Sequence, residues 1–140
     1  MGQLRYFEGY RCSGCGRELP AGSLAGECPA CSSPLLGVYD TGLLRRNVGR
    51  EDFFKGDKRS VWRFKHLLPD FAAEVSLGEG STPLIDAGRL GERIGATDLY
   101  IKDESLNPTG SFKARGMAVA ISRLVDLGIG SAAISSAGNA

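Results

Sequence analysis

Two groups of residues in this chain have types and spacings that could do chemistry. The first is a set of four cysteines, Cys12-x2-Cys15 and Cys28-x2-Cys31, with twelve residues between the pairs. Two such pairs present four thiolates from two tight turns, the tetrahedral donor set that zinc prefers. Gly14 and Gly16 permit the tight backbone of the first pair, and Pro29 stiffens the second. Two disulfides would use the same residues, but nothing in the sequence points to an oxidising compartment. A thioredoxin-like redox site needs one pair rather than two matched ones. Four thiolates leave no open coordination position, so the expected zinc site is closed and structural. Its task is to fold about 30 residues that cannot build a core alone.

The second group is a pair of loops. Asn107-Pro108-Thr109-Gly110-Ser111-Phe112-Lys113 runs into a helix, and Ser135-Ser136-Ala137-Gly138-Asn139 follows a short apolar segment. A lysine in the first helical turn faces unpaired N–H groups and the positive end of the macrodipole. That setting disfavours the cation and favours the neutral amine, which is the nucleophile a Schiff base requires. A lone lysine at a helix start is ordinarily a solvated surface residue. Here a glycine-bearing turn precedes it, and the facing Ser/Gly/Asn loop suits an anion.

The elements that must position these loops are legible in outline. Glu79-Gly80-Ser81-Thr82-Pro83-Leu84 reads as an opening loop, and Ala87 to Ile94 as a short helix that Gly95 ends. Asp98 to Lys102 reads as a strand, and Asp103 to Gly110 as a loop that turns at Asn107-Pro108. Ser111 to Leu127 is the clearest helix, with Met117, Ala120, Ile121 and Leu124 at core spacing and Gly128 as its stop. Ser131 to Ser135 is a second short strand. Strand, helix and strand then make a parallel βαβ unit with a right-handed crossover. Ligands of open α/β sheets sit beyond the carboxyl ends of the strands, so both loops are expected to converge on one pocket.

Between the two groups, Leu43 to Lys65 carries Arg45, Arg46, Arg50, Lys55, Lys58, Arg59, Arg63 and Lys65 against Glu51, Asp52 and Asp57. Phe53, Phe54, Trp62 and Phe64 are interleaved with them. A ribbon followed by a basic, aromatic arm is one way to bind nucleic acid or protein. We favour a connecting arm whose aromatics pack on the next domain, because no nucleic-acid-binding motif accompanies it. His66, the single histidine, has no ligand set or Ser/Asp partner in sequence, which argues against a general base.

Composition agrees. The net charge of +1 excludes a strongly basic or acidic tail as the whole function. Twenty of 140 residues are glycine, about twice the usual ~7%. No apolar run approaches the ~20 residues of a membrane span, and the first residues lack the apolar stretch of a signal peptide. The expected location is cytoplasmic.

The motif Pro108-Thr109-Gly110-Ser111-Phe112-Lys113-Ala114-Arg115-Gly116 resembles the lysine motif of pyridoxal-phosphate enzymes of the tryptophan synthase β type (fold-type II). The Glu79–Leu84 and Ser135–Ala140 stretches sit where that family carries its opening motif and its Ser/Gly/Asn loop. With the four-cysteine ribbon added, the sequence is most similar to the threonine synthase family. The resemblance implies three parts: a zinc ribbon at 1–40, a basic connecting arm at 41–75, and at 76–140 the first part of a parallel-sheet α/β domain, incomplete here.

It implies that Lys113 holds pyridoxal phosphate and later moves protons. Phe112 and Asn139 would flank the cofactor, Asn139 bonding its ring 3′ oxygen. Ser135, Ser136, Ala137 and Gly138 would receive the carboxylate of a small amino-acid substrate. Lys102, Ser81 and Thr82 would approach its anionic end. The implied reaction is conversion of O-phosphohomoserine and water to threonine and phosphate, in a complete enzyme for which a homodimer is expected.

Ala114 stands where threonine synthases usually carry Asp. Lys-x-Arg-Gly is also similar to threonine and serine ammonia-lyases, and sulfonate-forming synthases share the ribbon. Family members continue well beyond a point equivalent to Ala140, with the phosphate cup and the pyridine-nitrogen partner. An isolated 140-residue polypeptide is therefore expected to be an N-terminal fragment without turnover.

Overall fold

The chain is built from short elements, and the described strands all pair antiparallel. The computed structural model describes residues 5–55 and 60–136. The chain forms two compact units, Met1–Asp57 with Arg63–Ala72 and Lys58–Trp62 with Ala73–Ala140.

In the first unit, β1 (Phe7–Cys12), β2 (Glu18–Pro20) and β3 (Leu35–Tyr39) form an antiparallel sheet in the order β2-β1-β3. Register slips between Phe7 and Gly9, so β1 buries Gly9 and Cys12 rather than alternate residues. That slip delivers Cys12, 3% exposed, to the interior end of the strand.

The arm then folds back on this unit. Helix α1 (Thr41–Asn47) starts at Asp40, whose carboxylate accepts the Leu43 N–H at 2.7 Å. A 3-10 segment, Arg50–Phe54, follows, and a second one, Val61–Leu67, breaks at Phe64. Phe53 and Phe64 lie 5.7 Å apart, and His66 stands edge-on to both Phe53 and Tyr6. The Arg63 guanidinium lies 4.8 Å from the Phe54 ring centroid and donates to the Phe53 carbonyl at 3.0 Å. Phe53 and Phe64 thus pack within the first unit. Trp62 belongs to the second, where it is buried and donates its indole N–H to the Val75 carbonyl at 3.1 Å.

The second unit contains β4 (Leu84–Asp86) and β5 (Tyr100–Lys102), an antiparallel pair in which Ile85 faces Ile101. Helix α2 (Gly88–Ile94) connects them and ends at Gly95 in the left-handed conformation. The strand expected from Asp98 starts only at Tyr100, because Asp98 has φ +54°, outside extended backbone. Helix α3 (Lys113–Asp126) ends just before Gly128, φ +72°.

Two further expectations need correction. The most buried stripe of α3 is Ala114, Ala118 and Ser122, not Met117, Ala120, Ile121 and Leu124. Small residues win this face because the 73–79 backbone comes close. The Ser122 hydroxyl, wholly buried, accepts the Val75 N–H at 2.9 Å and donates to the Ala118 carbonyl at 2.8 Å. Ile121 is left 39% exposed. The second correction concerns Ser131 to Ser135, which forms no strand: residues 131–136 make no ladder, and all are exposed. Both sheets are antiparallel, so no parallel βαβ unit exists among the described residues. Apolar patterning records a tendency to pair, and a strand needs a partner to realise it. No described helix is long and apolar enough to cross a membrane.

Candidate functional site

The cysteine cluster is built from two copies of one turn. In the first, Cys12 N–H donates to the Arg17 carbonyl at 2.8 Å and Gly16 N–H to the Cys12 carbonyl at 3.1 Å. In the second, Cys28 N–H donates to the Ser33 carbonyl at 2.9 Å and Ser32 N–H to the Cys28 carbonyl at 2.8 Å. The fifth residue of each turn is left-handed, Gly16 at φ +73° and Ser32 at φ +53°. Glycine takes this conformation freely, whereas Ser32 adopts it at a steric cost that the turn must offset.

The two turns bring the four sulfur atoms within 4.8 Å of one another. Cys12 Sγ lies 3.4 Å from Cys31 Sγ, and Cys15 Sγ lies 3.7 Å from Cys28 Sγ. Four sulfurs at about 2.3 Å from a tetrahedral zinc stand about 3.8 Å apart, so the cluster has the size of such a shell. A disulfide needs about 2.05 Å. Backbone N–H groups of Gly14 and Cys15 both donate to Cys12 Sγ at 3.3 Å. The Cys15 N–H is the main cause of a lowered Cys12 pKa. The Ser33 hydroxyl and N–H hold Cys31 down at about 6. For Cys15 the Arg17 N–H pulls downward, but the three neighbouring thiols together outweigh it and push the group up to about 11. The opposed shifts reflect how closely the four thiols are packed, so that each one's ionisation acts on the others.

The lysine loop has a different construction. Lys113 is the first residue of α3, and its N–H donates to the Ser111 hydroxyl at 3.2 Å. Its side chain is exposed and lines an open cleft of ≈ 340 Å³ with Phe112, Gly116, Met117, Ile134 and Ser135. The two loops therefore meet, at Lys113 and Ser135. Apolar walls with an amine at the rim suit a flat aromatic cofactor attached through that amine. Ser136 is exposed on the same segment. Ala137, Gly138 and Asn139 lie outside the described residues.

Ala114 does not line this cleft. It is buried on the neighbouring face of α3, where it lines an apolar cavity with Val75, Leu77 and Ala118. Its place is in the packing of the second unit rather than beside the Lys113 amine.

The three remaining expected residues lie on the far side of the loop. Lys102 is exposed and donates to the Thr82 carbonyl. Ser81 is exposed, in the left-handed region at φ +45°. Thr82 is 7% exposed, and its hydroxyl donates to Glu104 Oε1 at 2.5 Å and accepts from Arg115 at 3.3 Å.

These bonds belong to a network whose hub went unnoticed in the sequence. Arg115 forms two parallel bonds of 2.7 Å to the Glu104 carboxylate. Asn107 donates to Glu104 Oε2 at 2.9 Å and accepts the Gly80 N–H at 3.0 Å. The Arg115 guanidinium, and after it the Thr82 hydroxyl, holds the Glu104 carboxyl well below the usual carboxylate range. Glu79, 1% exposed, is satisfied locally by the Ser76 hydroxyl and the Leu77 N–H. The only sequence signal for the hub was an acid in the turn before a helix and an arginine in that helix's first turn. Nothing local pairs them across eleven residues.

Residues 75–140 match the sequence family described as pyridoxal-phosphate dependent enzyme. Over those residues the chain is similar to that family. Two relatives that match over nearly the whole chain are threonine synthases. Those of Methanosarcina acetivorans and Methanocaldococcus jannaschii are 37% identical over 129 and 131 residues, 92% of this chain in both cases. The match covers 31% of the first relative and 32% of the second, so the chain spans about a third of their length. The threonine synthase of Mycobacterium leprae is 49% identical over 80 residues, 57% of this chain and 22% of its own.

Proposed function

We propose that this chain is part of a threonine synthase, acting on O-phosphohomoserine and water to give threonine and phosphate. The observation that carries the reading is the meeting of Lys113 and Ser135 on one cleft, within a segment that matches the pyridoxal-phosphate family.

In this reading the Lys113 amine holds the cofactor, Phe112 lies beside it, and Asn139 bonds the ring 3′ oxygen. Bound there, pyridoxal phosphate supplies an electron sink for a carbanion. Ser135 and Ser136, with Ala137 and Gly138, present hydroxyls and backbone N–H groups to the substrate carboxylate. The Lys113 amine, once released, moves the proton. Lys102 and Ser81 approach the anionic end of the substrate, while Thr82 is assigned to the network beneath the loop.

The second unit is the opening of a fold-type II α/β domain. Leu84 and Tyr100 are more than half exposed, and Ile85, Ile101 and Ile134 remain open to solvent, which fits layers yet to be covered. The four cysteines hold a structural zinc in a ribbon at 1–40, joined by the arm at 41–75 to the cofactor domain at 76–140. The complete enzyme is cytoplasmic and homodimeric, with a small-molecule partner.

The test is phosphate release from O-phosphohomoserine by this chain within a polypeptide of its relatives' length, with threonine identified as product. The Lys113→Ala variant should lose this activity. Ammonia release from threonine or serine, with no phosphate released from O-phosphohomoserine, would move the assignment to an ammonia-lyase.

A further inference from the structure

The cleft explains where Lys113 is, but not what keeps it there. At the start of α3 the Phe112 side chain makes no cap bond, the Lys113 N–H is taken by the Ser111 hydroxyl two residues back, and the lysine side chain itself is exposed. A helix start held only by so local a bond frays unless another element pins it. Arg115 lies two residues further on, about 200° around the helix axis. Its side chain leaves on the side away from the cleft and closes on Glu104 with two 2.7 Å bonds. Glu104 is also bound by Thr82 from the opening loop and by Asn107 from the turn. Three segments that flank the lysine therefore share one carboxylate.

The backbone makes room for this arrangement. Gly80 has φ +114°, and a Cβ there would stand 3.0 Å from Ser60 and Val61 backbone atoms and 3.2 Å from the Arg115 guanidinium. The Asn107 side chain takes up the Gly80 N–H. None of these groups lines the Lys113 cleft.

We propose that the Glu104–Arg115 pair, with Thr82 and Asn107, is a positioning device that fixes the rotation of the first turn of α3 and so aims the Lys113 amine into the cleft. This rests on the reading of Lys113 as the cofactor-holding lysine. Arg115 and Glu104 are positioning residues, which act through Lys113 without touching the cofactor.

The experiment uses the full chain treated with pyridoxal phosphate, reduced with borohydride, digested and mapped by mass. The readout is the ratio of adduct on Lys113 to adduct on Lys55, an exposed lysine of the first unit. The wild-type ratio should favour Lys113. In Glu104→Gln it should fall about tenfold or more, since a misplaced reacting group loses up to ~10²-fold. Glu104→Gln with Arg115→Gln removes both charges and should regain much of the thermal midpoint that the single variant loses. The ratio should stay low in that double variant. A ratio that recovers with the midpoint, or a single variant that keeps the wild-type ratio, overturns the positioning role and leaves the Lys113 reading intact. A wild-type chain with no preference for Lys113 overturns that reading, and the proposal with it.

Discussion

The cysteine cluster and the lysine cleft are both chemical sites, but they are assembled on different principles. The cluster draws four thiols from two similar turns within twenty residues, and its sulfurs stand within 4.8 Å of one another. The cleft joins a helix start to a segment more than twenty residues later, across an open surface whose apolar side chains are still exposed. The first site is complete in local geometry. The second depends on contacts between distant segments, with a polar hub on the side of the α3 start away from the cleft. Local sites are therefore robust as geometry and dependent on their ligand, whereas the cleft is sensitive to single side chains that never reach it.

That contrast can be broken most sharply at the cysteines. Chelation of zinc, or Cys12→Ser, should unfold the β1–β3 sheet outright, because metal binding and folding are one equilibrium in so small a unit. Metal content should be one zinc per chain, measured by elemental analysis beside amide exchange of residues 7–39. A metal-free chain that keeps those amides protected would contradict the assignment.

Next in size is Glu104→Gln. It should cost about 2 kcal/mol, the scale of hydrogen bonds to a charged group, measured by thermal unfolding. The loss should appear as faster amide exchange near residues 103–118 and leave residues 7–39 unchanged. Its pH dependence has a defined sign. The folded-state pKa of Glu104 is depressed, chiefly by Arg115, so the stabilisation is full above the ordinary value of about 4.3 and declines as pH falls below it. Glu104→Gln should flatten that part of the acid unfolding profile.

Gly80→Ala should cost about 1–3 kcal/mol through the strained φ and the close backbone of Ser60 and Val61. Thermal unfolding measures this directly. Lys113→Ala is the smallest in stability, within about 0.5 kcal/mol for an exposed residue. Its effect should fall on cofactor attachment, so an unchanged midpoint with lost reductive labelling is the expected pair of results.

How much of this could be read in advance follows the same division. Cysteine spacing reports a local turn, and the helix stops at Gly95 and Gly128 report a local conformation, so both were legible. The buried face of α3 was not. Met117 and Ile121 looked like core by hydrophobicity, but Ala114, Ala118 and Ser122 are small enough for the 73–79 backbone to approach. The strand at Ser131 to Ser135 was read from apolar residues that have no ladder partner in this structure. Lys113 and Ser135 line one cleft without the neighbouring parallel strands that the sequence suggests, and Glu104 and Arg115 carry no local signal because their pairing exists only once the turn has closed.

If the lysine loop and the serine loop form one cofactor site, pyridoxal phosphate must act on both together. Amide hydrogen exchange of the full chain with and without pyridoxal phosphate tests it most directly. The account predicts slowed exchange in two stretches together, around residues 107–118 and around residues 131–136, with residues 7–39 unaffected. Protection confined to one of the two stretches, or spread to the cysteine unit, would contradict it.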